Sequence, residues 1–278
     1  MNCVICDQPI KDGEPLKRAS RRALNGDPME PAYSHKRCRR GPDKVPYVTA
    51  WSSEPLEDTL IVVQEMTGVS FEDETASDRD ERGVLWARSP DTPGVGRPLY
   101  KKIHPGRQRQ CMTDLRCQVC GGPTDEDERG VLWLIEDGRE DWPGWPRDLM
   151  TTHPPICLTC VRVAREQCPH LWIGTVLVRV AQSELCAVQG KRYTLTPNGP
   201  IAVHSSVFTF ESGHLRWVVA AQLVRVLYGC TLVQLDDEIA ARDKRVLVRG
   251  REAHEFLELD AYRVGDADQA FVWQRPGT

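Results

Sequence analysis

The sequence predicts an α+β protein assembled from several small units. Cysteines recur in closely spaced pairs, which is typical of units too small to have a large core of their own. Apolar runs with the β-branched composition of strands are short and are separated by turn residues. Two other segments have the apolar pattern of helices. With 278 residues the chain has room for two or three modest domains.

Changes in composition divide the chain into five predicted segments. They are an N-terminal cysteine-containing unit (1–44), an irregular β-rich connector (45–110), a second cysteine-containing unit (111–174), a small α/β unit (175–235) and a C-terminal extension (236–278). In the connector, the apolar runs at 59–63 and 83–87 predict short strands. Prolines and glycines between 90 and 98 predict an irregular connection after them.

The second half of the chain contains predicted helices and strands. Residues 157–170 predict a helix that ends at Pro169, because proline cannot continue the helical hydrogen bonds. Strands are predicted at 175–181, 191–196, 202–210 and 230–235, with a turn at 197–200. Residues 215–228 carry an apolar stripe at helical spacing, and Gly229 follows where a C-cap glycine is typical. We therefore predict a second helix at 215–228.

A seven-residue sequence occurs twice in the chain. Residues 80–86 and 127–133 are identical, and each copy is an acidic turn, a glycine and an apolar run that ends in tryptophan. The repeat is either a coincidence between two similar hairpins or the result of a duplication whose copies pack as equivalent strands. Only the second copy is close to a Cys-x-x-Cys pair, so the repeat is not a duplicated metal site.

The eleven cysteines indicate metal ligands rather than disulfides. The first residues lack the basic and apolar regions of a secretory signal, so we expect a cytoplasmic protein with reduced thiols. Cys-x-x-Cys pairs are then typical zinc ligands. Pairing them in sequence order gives one site of Cys3, Cys6, His35 and Cys38 and a second of Cys117, Cys120, Cys157 and Cys160. Four ligands complete each tetrahedron, so we expect two structural Zn²⁺ ions.

The order of these ligand pairs resembles a treble-clef zinc finger. In that family the first pair lies in a knuckle, a β-hairpin follows, and the second pair begins a helix. The resemblance implies a knuckle at 117–122, a hairpin strand at 130–136 and a first helical turn at 157–160, and in the N-terminal unit a knuckle at 3–6 and a helix start at 35–38. A helix N-terminus also favours thiolates.

A second resemblance covers residues 83–235, more than half of the chain. It rests on short motifs at 96–100, 104–109, 116–121, 152–157 and 168–170. These motifs resemble those of a group of uncharacterised actinobacterial proteins. The resemblance implies a bacterial, cytoplasmic setting and adds no particular chemistry.

The net charge of −4 conceals strongly segregated charges. Residues 1–44 contain ten Lys or Arg against six Asp or Glu, residues 54–82 contain ten acids against two arginines, and residues 97–116 contain six bases against one acid. The basic segments predict contacts with DNA or RNA, unless they are solvated faces that offset the acidic stretch. The candidate contacts are Arg21, Arg22, Lys36, Arg37, Arg39, Arg40, Lys101, Lys102, Arg107 and Arg109.

We therefore predict a zinc-stabilised, non-enzymatic binding protein that contacts nucleic acid. The main alternative is a protein-interaction scaffold, in which Trp133, Trp142 and Trp145 anchor a protein partner if they are exposed. If they are buried, they are core residues. No apolar run approaches the roughly 20 residues of a membrane-spanning helix, so no membrane is expected as a partner.

An HNH-type nuclease is a further alternative, because a treble clef can host one. Such an enzyme needs a histidine base and additional metal ligands between its cysteine pairs. His153 is the only histidine between Cys120 and Cys157. The sequence therefore favours a protein without enzymatic activity. A third ion bound by Cys111, Cys168 and His170 is a further, weaker possibility.

Overall fold

The computed structural model describes residues 44–64, 68–167 and 174–242, together with the backbone of two short strands near the N-terminus. The chain forms two compact units, 1–234 and 235–278. His35 is described only as the last backbone position of a strand, so the helix implied at 35–38 does not begin at this residue. The following predicted residues lie outside the described part: Cys3, Cys6, Cys38, Cys168, His170, Arg21, Arg22, Lys36, Arg37, Arg39 and Arg40.

The described part is rich in strands and has few helices, which confirms the predicted α+β class. The strands are β1 (Leu16–Ala19), β2 (Ala32–His35), β3 (Thr49–Trp51), β4 (Ile61–Gln64), β5 (Gly68–Phe71), β6 (Leu85–Trp86), β7 (Pro98–Ile103), β8 (Glu126–Asp127), β9 (Gly130–Glu136), β10 (Leu149–Thr151), β11 (Thr175–Thr196), β12 (Gly199–Thr209) and β13 (Val218–Val233). The helices are α1 (Pro105–Thr113), α2 (Leu158–Gln167) and, in the second unit, α3 (235–242). None of these helices combines the length and the apolar composition that a membrane span requires.

A seven-stranded sheet organises the first unit. Its long strands β11 and β13 pair antiparallel, from Leu177 opposite Val233 to Arg192 opposite Val218. On the other edge of β11, β9 pairs with the first half of the strand and β12 with the second half. β10 and the parallel strand β6 pair with β13, and β8 pairs with β9. Three further antiparallel pairs, β1 with β2, β3 with β7 and β4 with β5, lie outside this sheet.

The prediction of a helix at 215–228 is wrong. Leu215–Trp217 form a single 3-10 turn, and β13 begins at the next residue. Residues 218–220 and 223–227 are consecutively buried, as in a central strand that is covered on both faces. An apolar run this dense matches the helical and the buried-strand pattern alike, and its valines favour the strand. Gly229 is not a C-cap, because it lies within β13 at φ +60°.

Several other predicted elements are confirmed. α2 occupies most of the helix predicted at 157–170. β11 and β12 contain the strands predicted at 175–181 and 191–196 and most of the one at 202–210, and the turn between them falls in 197–200. β4 and β6 lie in the apolar runs of the connector, and β9 coincides with the implied hairpin strand. These segments have the local composition that their structures require, so sequence reasoning could place them.

The two copies of the seven-residue repeat share a turn but not a position in the sheet. Asp80 and Asp127 each accept a hydrogen bond from the backbone N–H two residues later, at 3.0 and 2.9 Å. A glycine with positive φ follows in both copies. The first copy then pairs parallel with β13, whereas the second pairs antiparallel with β11. The copies therefore do not pack as equivalent strands.

Two buried arginines connect the sheet to the segments around it. Arg225 of β13 donates through Nε to the carbonyl of Met112 at 2.7 Å, so it satisfies a carbonyl at the C-terminal end of α1. Arg179 of β11 donates through Nη2 to the carboxylate of Asp125 at 2.6 Å. This second contact fixes the loop before β8 on the sheet. Together these bonds hold α1 and the β8–β9 hairpin in place.

Candidate metal centre

The first cysteine pair lies in a tight turn between α1 and β8. The backbone N–H of Cys117 donates to the carbonyl of Gly122, and the N–H of Gly121 donates to the carbonyl of Cys117, both at 2.8 Å. Gly121 has φ +71°, and a Cβ at this position would lie 2.9 Å from the ring of Tyr47. A glycine is therefore required, because the chain turns in the left-handed region while the tyrosine ring packs against it.

The second cysteine pair lies at the start of α2. Cys157 immediately precedes this helix, and its carbonyl accepts hydrogen bonds from the backbone N–H groups of Cys160 (2.9 Å) and Val161 (3.1 Å). The N-terminus of a helix has unpaired backbone N–H groups and favours negative charge. The position of the pair therefore favours thiolates.

Backbone hydrogen bonds bring the two pairs together. The N–H of Gln118 donates to the carbonyl of Pro155, and its side-chain amide donates to the carbonyl of Pro154, both at 2.9 Å. The N–H of Ile156 donates to the carbonyl of Leu132 in β9 at 3.0 Å. The segment that leads into α2 is thus fixed against both the first cysteine turn and the sheet.

The four sulfur atoms of Cys117, Cys120, Cys157 and Cys160 converge. They all lie within 4.8 Å of one another, and those of Cys120 and Cys157 are 3.9 Å apart. A tetrahedral ion with Zn–S bonds of about 2.3 Å separates its sulfur ligands by roughly 3.8 Å. Cys117 and Cys160 are buried, Cys157 is half-buried and Cys120 is exposed. The cluster could therefore hold a metal ion that is open to solvent on one side.

The two buried thiols, those of Cys117 and Cys160, hold their protons when no cation is bound. A hydrogen bond with Cys157, followed by burial, raises the pKa of Cys117 to about 12, and burial raises the pKa of Cys160 to about 11. Thiolates are the form that binds metal, so binding releases protons and the affinity rises with pH. The Nζ of Lys44 lies 3.7 Å from the sulfur of Cys160 and places a positive charge beside the cluster.

A second group of potential metal ligands is already occupied by the guanidinium of Arg107. Glu54, Asp91 and His104 bring one ligand atom each within 4.8 Å of one another. The guanidinium of Arg107 donates to the two oxygens of Glu54 at 2.7 and 2.6 Å, and it also donates to Asp91. The ring nitrogens of His104 are engaged by the N–H of Arg107 and the carbonyl of Pro90. We therefore assign this group a structural role.

The candidate nucleic-acid contacts of the connector differ in their exposure to solvent. Lys101 and Lys102 are exposed on β7, next to Tyr100, which is 44% exposed. Arg107 is only 2% exposed, and its guanidinium is bound to Glu54. This corrects the expectation that Arg107 contacts a phosphate, because its donors already have buried partners.

Arg109 is also less accessible than the sequence suggests. Its guanidinium lies 4.7 Å from the ring centroid of Trp86, and its side chain is half-buried. Burial lowers the pKa of this arginine from its usual value. Arg109 therefore contributes mainly to packing against Trp86, and Lys101 and Lys102 remain as the exposed members of this predicted set within the described residues.

The three tryptophans of the second cysteine unit have different environments. Trp133 is fully buried, and its Nε1 donates to the carbonyl of His153 at 2.9 Å. Trp145 is 9% exposed and belongs to the same core cluster as Trp133. Trp142 is 40% exposed. Of the three tryptophans, only Trp142 therefore has the exposure that an interface anchor requires.

Sequence reasoning missed two residues that support the metal centre. Tyr47 packs on Gly121, and its backbone N–H donates to the carbonyl of Val119 at 3.0 Å. Lys44 contacts the sulfur of Cys160. Tyr47 and Lys44 lie more than 70 positions before Gly121 and Cys160, respectively, and no local pattern in the sequence connects them.

The fold and the four-cysteine cluster define an α+β protein with a candidate metal centre. Comparison of the chain with protein-family models, with curated proteins and with solved structures finds no match.

Proposed function

We propose that this protein is a zinc-stabilised, non-enzymatic binding protein that contacts nucleic acid through exposed basic residues. The observation that carries the zinc assignment is the convergence of the four cysteine sulfurs within 4.8 Å. A set of thiolate ligands favours Zn²⁺ over harder ions such as Mg²⁺ or Ca²⁺. Four protein ligands leave no coordination position for a substrate, so the zinc ion has a structural role.

The order of elements around the cluster supports a treble-clef unit. A tight cysteine turn comes first, the β8–β9 hairpin follows, and Cys157 and Cys160 lie at the start of α2. In this arrangement the ion links the cysteine turn to α2. The segment just before α2 is held on the sheet by its hydrogen bond with β9. Loss of the ion would remove the link between the turn and the helix.

A second zinc ion at Cys3, Cys6, His35 and Cys38 is part of the proposal. Support comes from the antiparallel pairing of β1 with β2, because this hairpin follows Cys6 in sequence and ends at the first ligand of the second pair. His35 is the last residue of β2. A knuckle, a hairpin and a second ligand pair would then occur in the same order as in the described site.

Strand β7 supports the nucleic-acid part of the proposal. It presents Lys101 and Lys102 together with the exposed ring of Tyr100, and Arg97 is exposed just before the strand. Lysine and arginine neutralise phosphates, and an exposed aromatic ring stacks on unpaired bases. This combination favours single-stranded DNA or RNA over duplex.

A salt-titrated binding measurement tests this assignment. Fluorescence anisotropy with labelled single-stranded and duplex oligonucleotides should show binding at about 50 mM salt that weakens steeply as salt is added. The double variant Lys101→Gln/Lys102→Gln should lower the salt slope by about 2. The control is Lys191→Gln/Arg216→Gln, which removes the same charge from exposed positions of β11 and the 3-10 turn. Equal binding by the two double variants, or no binding at low salt, contradicts the proposal.

The alternatives have less support. A protein-interaction scaffold is favoured by one observation, the exposure of Trp142. The nuclease alternative requires a second metal beside a free histidine. In the described residues, the histidine-containing ligand group is filled by Arg107. A bacterial, cytoplasmic setting remains part of the proposal, since reduced thiols are needed for the zinc ligands.

A further inference from the structure

A cleft of about 340 Å³ opens on the sheet, away from the cysteines of the metal centre. One wall is the loop after β9, which contributes Trp142 and Trp145. The floor is apolar and includes Ile135 of β9, Leu149 of β10 and Val224 of β13. The volume lies within the range of small-molecule sites, at its lower end. The cleft therefore suits a small ligand or a single side chain.

Hydrogen bonding and close packing shape the aromatic wall. The N–H of Asp141 donates to the carbonyl of Gly138 at 2.9 Å, which closes a turn in the loop. A Cβ at Gly138 would lie 2.5 Å from the carboxylate of Asp141 and 2.7 Å from Nε1 of Trp145. Gly138 thus allows the carboxylate and the indole to approach the same point. Trp145 is anchored in the core, while Trp142 keeps 40% of its surface exposed.

The charges that line the cleft have one sign. Glu136 and Asp141 contribute carboxylates, and the lining contains no lysine or arginine. Within the described residues, neither carboxylate has an ion pair or a side-chain hydrogen bond. The uncharged polar residues of the lining are Thr151, Thr152 and Gln189. His153 also lines the cleft, and desolvation lowers its pKa from the usual value although Glu136 opposes the shift. At neutral pH the imidazole is uncharged, so the two carboxylates set the charge of the cleft.

We propose that this cleft binds an organic ammonium cation between Trp142, Trp145, Glu136 and Asp141. A cation over the face of a tryptophan is attracted by the ring, and quaternary ammonium groups are recognised in this way by aromatic cages. The carboxylates add Coulombic attraction, and the apolar floor accepts the methyl or methylene groups that such cations carry. An anion is disfavoured because both charged side chains of the lining are negative. The nucleic-acid surface on β7 is not involved.

Calorimetric titration with choline tests the proposal. The neutral isostere 3,3-dimethylbutan-1-ol has the same shape without the charge, so it isolates the electrostatic contribution. We expect choline to bind at least about tenfold more tightly than the alcohol. Equal affinities would overturn the proposal in favour of a purely apolar pocket. Failure of choline, of a lysine peptide and of a trimethyl-lysine peptide to bind would also overturn it.

Variants locate the binding site. Trp142→Ala and Asp141→Asn should each weaken choline binding by about tenfold, because each removes one of the two kinds of attraction. Both residues are exposed, so their replacement should leave the thermal unfolding curve unchanged. Tyr100→Ala and Glu128→Gln are the matched controls, since they change an exposed aromatic and an exposed acid outside the cleft. Loss of binding in the controls, or its retention in the cleft variants, contradicts the assignment.

Peptides distinguish the two sources of an ammonium group. The probes are short glycine-flanked peptides that contain lysine, trimethyl-lysine or, as the uncharged control, norleucine. Binding of a lysine or trimethyl-lysine peptide at least about tenfold tighter than choline identifies a protein side chain as the ligand. Binding of choline alone identifies a free small cation. Binding of the norleucine peptide as tightly as the charged peptides overturns the proposal.

Discussion

The guanidinium of Arg107 and the carboxylate of Glu54 form a two-fold hydrogen-bonded ion pair in the protein interior, at 2.7 and 2.6 Å. The side chains of both residues are almost fully buried. Arg107 also donates to the carbonyls of Tyr47 (2.7 Å) and Thr49 (2.9 Å), so it fixes the segment that packs on the cysteine turn. The ion pair is thus connected to the metal centre through Tyr47.

Breaking this ion pair should strongly destabilise the protein. Arg107→Met leaves the carboxylate of Glu54 buried without its partner, and we expect the free energy of unfolding to fall by about 3–5 kcal/mol. Urea denaturation measures the change. Arg116→Met is the control, because Arg116 and its partner Asp114 are both more than 40% exposed, and such a pair contributes less than about 1 kcal/mol. Similar losses in the two variants would show that burial does not decide the effect.

The ion pair of Arg107 and Glu54 should make the stability of the protein depend on pH in the acid range. Burial raises the pKa of Glu54, but hydrogen bonds from Arg107 and from the backbone N–H groups of Trp51 and Thr92 outweigh it and lower the pKa to about 2. The folded pKa is below the unfolded one. The contribution is therefore complete above about pH 4.5 and is lost as pH falls towards 2.

We expect the difference in unfolding free energy between the wild type and Glu54→Gln to shrink by about 2 kcal/mol from pH 6 to pH 3. Urea titrations of both proteins at the two pH values measure it, and comparison with the variant cancels the other carboxylates. A difference that stays constant over this range would mean that Glu54 has an ordinary pKa in the folded protein.

Gly121 should be far less replaceable than another glycine with the same backbone conformation. Gly94 has φ +86° with open space around it, whereas Gly121 has φ +71° and faces Tyr47. Gly94→Ala should cost about 1 kcal/mol from the backbone alone. Gly121→Ala should cost a further 1–3 kcal/mol or so because the ring must move. It should also weaken metal binding in a chelator competition, and equal effects of the two substitutions would contradict the proposed packing.

Removal of Arg225 should loosen the end of α1. Arg225→Met leaves the carbonyl of Met112 without its donor, and Arg225 also donates to the carbonyl of Ser183 at 2.9 Å. We expect a loss of about 2–3 kcal/mol in unfolding free energy, because buried acceptors lose a charged partner. Faster amide hydrogen exchange in residues 105–113 should accompany it. Exchange that is unchanged there would show that Arg225 does not hold the helix.

The sequence could predict the features that depend on residues close together in the chain. The spacing of Cys117 and Cys120, and of Cys157 and Cys160, is a local signal, because two cysteines three positions apart can bind one metal ion. The turn before β12 likewise follows from consecutive turn residues. The sequence alone does not distinguish β13 from a helix, because the apolar residues of 218–227 fit both periods and only pairing with the neighbouring strands decides between them.

Burial of charged residues could not be predicted in the same way. Arg107 lies in a basic segment, and its sequence neighbours predict a solvated side chain. Its burial depends on Glu54, 53 positions earlier, which the fold brings beside it. The cleft carboxylates Glu136 and Asp141 give no local signal either, because their common environment arises only when the loop after β9 closes over the sheet. Such long-range pairings are properties of the fold rather than of any segment.

The zinc content of the chain purified without added metal tests the assignment of the four-cysteine cluster. We expect about two zinc ions per chain for the wild type and about one for Cys157→Ser/Cys160→Ser. Cys186→Ser, outside the four-cysteine cluster, should keep about two. A wild-type chain without zinc, or a double variant with the same zinc content as the wild type, would contradict the assignment of Cys117, Cys120, Cys157 and Cys160 as a structural zinc site.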